Sequence, residues 1–228
     1  MTTSAQHHKQ PWSKKLLIGF LAASTWISGF PVAGQAYSQE SSHVGSDERV
    51  RTLVISEILY NAEGSDDGTE YIEIANLGSE PIDISGYLLG DEETEGGGEG
   101  MFAFPAGAAI EAGRSIVVAQ SSLINKEKYD YTPDYEFPQV ERYNPLDDPE
   151  VPNLTAAEWA EGTVILANSG DDVLLMDQEL NVIDYVPYIN DTEFGGQIVK
   201  AAPPLAQLGE SLQRYYLTGD ASRDFISQ

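Results

Sequence analysis

Residues 53–89 read LVISEILYNAEGSDDGTEYIEIANLGSEPIDISGYLL, and this stretch decides the fold class. Alternate residues of a β-strand share a face. In the run 70–76, Ile72 and Ile74 fall on one side, opposite Tyr71, Glu73 and Ala75. In the run 53–60, strict alternation puts Ile55 and Leu59 on one side and Ile58 on the other. Asn61 to Thr69 is an acidic, glycine-containing turn between the two runs, and Gly78-Ser79-Glu80-Pro81 is the next turn. Strands of this kind are stable only when packed on more sheet, so the rest of the chain must supply it.

The pattern continues outward. Short strands are predicted at 82–84, 87–89, 101–104, 114–119, 164–166, 172–176, 182–186 and 210–216. Gly90 to Gly100 is a low-complexity acidic loop around Gly96-Gly97-Gly98. Residues 125–153 differ in character: five prolines interleave with Tyr129, Tyr131, Tyr135, Phe137 and Tyr143. They read as a surface insertion extending to about residue 161. Thr155-Ala156-Ala157-Glu158 has capping-box spacing and predicts a short helix before Trp159. Eight to ten short strands with frequent turns and little helix are the signature of an antiparallel sandwich. No alternation of strand and helix supports a parallel α/β sheet.

The first 36 residues read as an export signal. Lys9, Lys14 and Lys15 precede an apolar run from Leu16 to Ile27 that is short for a membrane span. Gly34 and Ala36 frame a small-residue cleavage site after Ala36, and 37–52 is a polar leader to a domain over 53–228. An exported chain of this kind is expected in the periplasm or the extracellular space, with no membrane span after cleavage. Cysteine is absent, so neither disulfides nor a lipidated N-terminal cysteine can form. The sequons at Asn153 and Asn190 read as chance matches in a bacterial protein. Without the three signal lysines, 9 basic residues face 37 acidic ones, a formal charge of −28. Such a surface repels phosphate backbones, which argues against a nucleic-acid partner.

Four blocks in this order resemble the lamin-tail domain family in its bacterial, exported form. They are LVISEILYN, EYIEIANLGSEPIDISGYLLGD, FAFPAGAAIEAGRSIVVAQ, and the closing Asp184 with Gly209–Arg214 (GESLQR). The resemblance implies an immunoglobulin-like antiparallel β-sandwich carrying a long inserted loop region. It implies little about function, since fold does not carry function.

Chemistry is thinly marked. Glu57, Glu70 and Glu73 could furnish an acid–base pair, but no histidine follows His43 in the chain. Ser56 and Ser85 have no histidine to activate them, and no phosphate-binding loop occurs. The structural alternative for the three glutamates is cross-strand hydrogen bonding. Zinc is disfavoured by the ligand set. Calcium needs six to eight oxygens, and no EF-hand spacing is present. Asp66 and Asp67, in a short tethered loop, are the possible calcium ligands. The acidic runs 91–99 and 171–172 read as solvated charge. The tyrosines of the insertion either form a platform for a glycan or peptide or pin the insertion to the sandwich. The reading is therefore an exported, non-enzymatic binding or adhesion module with an unknown protein or glycan partner and no cofactor beyond possible calcium. The alternative is an accessory domain for a separately encoded extracellular hydrolase or nuclease.

Overall fold

The computed structural model describes residues 52–91, 99–188, 193–194, 197–198, 203, 205–218 and 220–228. The export signal, nearly all of the leader, the Gly96–Gly98 loop tip and the sequon at Asn190 lie outside them. The strands, in chain order, are β1 (Leu53–Leu59), β2 (Tyr71–Asn76), β3 (Ile82–Asp83), β4 (Leu88–Gly90) and β5 (Met101–Ala103). Then come β6 (Ala109–Ile110), β7 (Ser115–Ala119), β8 (Tyr135–Glu136), β9 (Thr155–Ala156) and β10 (Asp171–Met176). The last are β11 (Val182–Tyr188), β12 (Glu193–Phe194), β13 (Gln197–Ile198), β14 (Leu212–Arg214) and β15 (Phe225–Ser227). Two helices, α1 (Ser122–Tyr129) and α2 (Ala221–Asp224), accompany them. Among the described residues no helix is long and apolar enough to cross a membrane.

Two sheets form the sandwich. One has six strands in the order β15-β14-β1-β2-β7-β8, the other five in the order β11-β10-β4-β5-β9. Every pairing in them is antiparallel except β7 with β8. The inner faces meet in one core. The first sheet contributes Ile55, Ile58, Ile72, Ile74, Ile116 and Val118; the second contributes Leu89, Phe102, Val173, Leu175 and Val186. This is the immunoglobulin-like all-β sandwich expected from the sequence, with four differences of detail.

The first is in β1. Ile55 and Ile58 are both fully buried in the core, while Leu59 belongs to a separate cluster with Ala62, Tyr71 and Ala119 on the outer face. A β-bulge between Ile55 and Glu57 reverses the alternation predicted for this run. A bulge adds one residue to one strand and shifts the faces of everything beyond it.

The bulge is held by side chains. Ile55 N donates to Asp184 Oδ2 at 2.8 Å, and Arg214 Nε donates to the Ile55 carbonyl at 2.8 Å. Arg214 also donates to Asp184 Oδ2 at 2.6 Å and to Asp224 Oδ2 at 3.3 Å. Its guanidinium lies 4.4 Å from the centroid of Phe225. One arginine therefore satisfies β1 where β14 no longer can, and ties β11 of the second sheet to the edge of the first.

The insertion is the second difference. It is ordered rather than a long irregular excursion: it begins within α1 and gives one strand to each sheet, β8 beside β7 and β9 beside β5. Its anchors are acidic. Buried Glu136 accepts Ser122 N at 2.7 Å and Asp148 N at 3.1 Å. Asp148 accepts Ser122 Oγ at 2.6 Å and Lys126 Nζ at 2.8 Å. Glu136 thereby satisfies a first-turn amide of α1 that no residue of the helix can reach, and Asp148 holds the side chains beside it. Phe137 packs edge-on against Phe102, and Tyr135 against Phe104, with centroids 5.4 and 5.3 Å apart. Tyr135 and Phe137 therefore pin the insertion.

The helix predicted before Trp159 is absent. Thr155–Ala156 is strand β9, and Ala157 N donates to Met101 O at 2.9 Å, so the backbone bonds that a helix would use go to β5. Trp159 instead packs over Leu88, Met101, Leu174 and Met176 on the outer face of the second sheet. The strand predicted at 164–166 is also absent. Burial still alternates there, with Val164 and Leu166 buried and Ile165 40% exposed, but side chains rather than a neighbouring strand take the amides of 165 and 166.

Candidate functional site

Two groups of carboxylates stand out in this framework. The first lies on the outer face of the six-stranded sheet. Glu57 on β1 and Glu73 on β2 are directly opposed in the register. Both are half-buried. Tyr71 Oη and Ser211 Oγ donate to Glu57 Oε1 at 2.7 and 2.6 Å, and Ser56 Oγ donates to Glu73 Oε1 at 2.6 Å. Burial, with Glu57 across the ladder, raises the Glu73 carboxyl above its ordinary range, against the Ser56 hydrogen bond. Burial and the adjoining Glu57 likewise hold the Tyr71 phenol well above 10. Like charges directly opposite are unfavourable on a sheet. Here hydroxyl donors from three strands or their ends offset that repulsion and leave a polar, hydroxyl-rich centre on this face.

The second group lies where loops meet at one end of the sandwich. Glu70 precedes β2 and Asp91 follows β4. They are 4% and 2% exposed. Glu70 Oε2 accepts Gln120 Nε2 at 2.8 Å and Leu166 N at 3.1 Å. Asp91 accepts Gly100 N at 2.7 Å and Ile165 N at 3.1 Å. Asp171 Oδ2 accepts Ala167 N at 2.9 Å. Three consecutive amides, 165 to 167, thus end on three carboxylates from different parts of the chain. Burial, reinforced by Asp66, Asp171 and Asp91, lifts the Glu70 carboxyl to about 9. Burial, reinforced by Asp171 and Glu99, lifts Asp91 to about 8. In both, the amide hydrogen bonds pull the other way and are outweighed.

Asp66 and Asp67, the possible calcium ligands, are drawn apart by their partners. Asp67 pairs with Arg142 at 3.1 Å. Asp66 Oδ2 accepts Asn168 Nδ2 at 2.6 Å, while its buried Oδ1 has no hydrogen-bond partner. Gly68, next to them, has φ +80°, and a Cβ there would lie 2.5 Å from Tyr143 O, so the loop is seated against the insertion. Among the described residues, no group of three or more His, Asp or Glu is placed to hold a metal ion. Of the three glutamates singled out in the sequence, Glu57 and Glu73 come together, whereas Glu70 belongs to the loop end. The partners of Glu70 at 91, 120 and 166 are too distant in sequence for any local pattern to indicate.

Three comparisons bear on these features. The family model described as Lamin Tail Domain matches residues 47–190. No curated protein matches the chain. Among solved structures, a DUF4876 family protein from Bacteroides thetaiotaomicron superposes with a TM-score of 0.53 at 13% identity. That match covers 78% of this chain and 71% of the other. At that identity the likeness is one of fold.

Proposed function

Because the chain belongs to the lamin tail domain family, we propose that it is an exported, non-enzymatic binding module that takes a protein or glycan partner on the outer face of its six-stranded sheet. The opposed Glu57–Glu73 pair carries this reading. Both carboxylates are half-buried, both are flanked by hydroxyls, and they sit on the rigid ladder of a central strand pair. Sites built on sheet strands hold their geometry better than sites on loops. Acceptors ringed by Ser and Tyr hydroxyls suit sugar hydroxyls or a cationic peptide, and the formal net charge of −25 disfavours anionic partners. Export is supported by the basic and apolar run of residues 9–27. Against catalysis stands the lack of any histidine after His43, and the hydroxyl bonds that engage each acid at rest.

The test is binding of the purified protein and of Glu57→Gln and Glu73→Gln to defined glycan and cationic-peptide arrays. Each substitution keeps the shape and removes a charge-assisted hydrogen bond, which contributes about 1.5–3 kcal/mol. Affinity should fall by about tenfold or more, with thermal stability little changed. Hydrolysis of any array glycan that disappears in Glu73→Gln would replace this reading with a catalytic one. Unchanged affinity in both variants would remove the face from consideration.

A further inference from the structure

The loop end around Glu70 and Asp91 has a property that a solvated acidic loop does not. Glu70 and Asp91 are buried, and among the described residues no ion pair reaches either of them. Ion pairs between described residues link Lys126 with Asp148 and Glu150, Arg142 with Asp67, and Arg214 with Asp184 and Asp224. None reaches Glu70 or Asp91. Among the described residues, the charged groups that act on these two are Asp66 from the 61–69 loop, Asp171 at the start of β10, and Glu99 where the chain returns to β5, all of them acidic. From β11 comes Tyr188, fully buried, stacked on Tyr60 at 4.3 Å, with its hydroxyl unpaired and acted on by Asp171, Glu70 and Asp91.

Buried carboxylates that face like charges resist ionising together. We propose that this end of the sandwich is a proton-dependent clasp, in which Glu70 and Asp91 hold the 163–167 segment in place while they retain protons and release it as both ionise. The segment is worth holding because Val164 and Leu166 are core residues, 1% and 2% exposed. Its amides have no strand to bond to, so its seating depends on these acids. The raised carboxyl values of Glu70 and Asp91 agree with this geometry. The direction follows from linkage: an acid whose value is higher folded than unfolded stabilises the fold at low pH. For Glu70 that contribution fades as pH rises from 4.5 towards about 9.

The experiment is carboxyl carbon NMR of the full chain, titrated from pH 5 to 10, together with amide-exchange protection at 165 and 166. Protection is taken relative to the intrinsic exchange rate at each pH. Both carboxyls should titrate above pH 7. Protection at Ile165 and Leu166 should fall by about tenfold or more between pH 7 and 10, the factor that one displaced pKa unit carries. Protection at Ile72 and Val118, in the central ladder, should hold. Glu70→Gln keeps an acceptor for Leu166 and should flatten its pH dependence, and Asp91→Asn should do the same for Ile165. Carboxyl midpoints in the ordinary range near 4 would overturn the proposal in the wild-type protein alone, whether or not either variant folds. Protection governed by millimolar calcium and indifferent to protons would overturn it equally.

Discussion

Arg214→Ala should cost about 3–5 kcal/mol of folding stability, the scale for removing one partner of a buried ion pair. The side chains involved are 8% exposed for Arg214, 16% for Asp184 and 1% for Asp224. Alanine would take the guanidinium away from both carboxylates and remove the side-chain donor to the Ile55 carbonyl, at the point where β1 bulges away from its ladder. Even with Arg214 present, burial keeps the Asp184 carboxyl above its ordinary range, so without it Asp184 must stay protonated or draw in water. Arg214→Lys should recover only part of the loss. An ammonium lacks the planar fork that reaches Asp184, Asp224 and the Ile55 carbonyl at once, and it stacks less well on Phe225. Asp184→Asn should be milder, because an amide oxygen still accepts from Ile55 N and Arg214 keeps Asp224. Urea unfolding of the three variants gives the order. An Arg214→Ala loss below about 1 kcal/mol, the range of exposed ion pairs, would show that this arginine does not hold the two sheets together.

That junction also marks where the sequence stops speaking. Asp184 and Gly209–Arg214 are visible in the chain as part of a family pattern, but thirty residues separate the pair and nothing local says that they meet. The sheets are legible because burial imposes period two on strands such as 71–76, where the faces are as read. It fails at β1 because a bulge is set by a partner, here Asp184 and Arg214, and not by the residues that bulge. Thr155–Glu158 has the spacing of a helix start. It forms a strand because the edge of β5 offers its backbone partners and the outer face of the second sheet offers Trp159 a place to pack. The insertion reads as irregular because its organising groups, Glu136 and Asp148, are acids that a hydropathy pattern counts as exposed. Of the candidate sites, the Glu57–Glu73 opposition was implicit in strand alternation, although only the bulged register places the two carboxylates across from each other. Nothing in the order of residues indicates that the amides of 165, 166 and 167 end on Asp91, Glu70 and Asp171.

Gly90→Ala should be nearly as damaging, for a reason that is steric rather than electrostatic. Gly90 closes β4, buried, opposite Met101 on β5. A Cβ built there would lie 1.9 Å from the Gly100 carbonyl oxygen and 2.8 Å from Met101 Cα. Both are backbone atoms, so no rotamer relieves the clash and the strands must part. Overpacking costs about 1–3 kcal/mol where side chains can yield, and about 3 kcal/mol or more is expected where they cannot. Gly107→Ala isolates the other contribution a glycine makes. Its φ of +85° penalises alanine, yet nothing lies within 4 Å of the added carbon. It should therefore cost only the left-handed backbone penalty of about 1–2 kcal/mol. Parting β4 from β5 also strains the bonds one residue along, where Asp91 N meets Gly100 O and Asp91 Oδ1 meets Gly100 N. Gly90→Ala should accordingly lower exchange protection at Ile165, whose amide depends on Asp91, and Gly107→Ala should leave it unchanged. If the two alanines proved equally costly and neither affected Ile165, close approach of β4 and β5 would not be what seats Asp91 against the 163–167 segment.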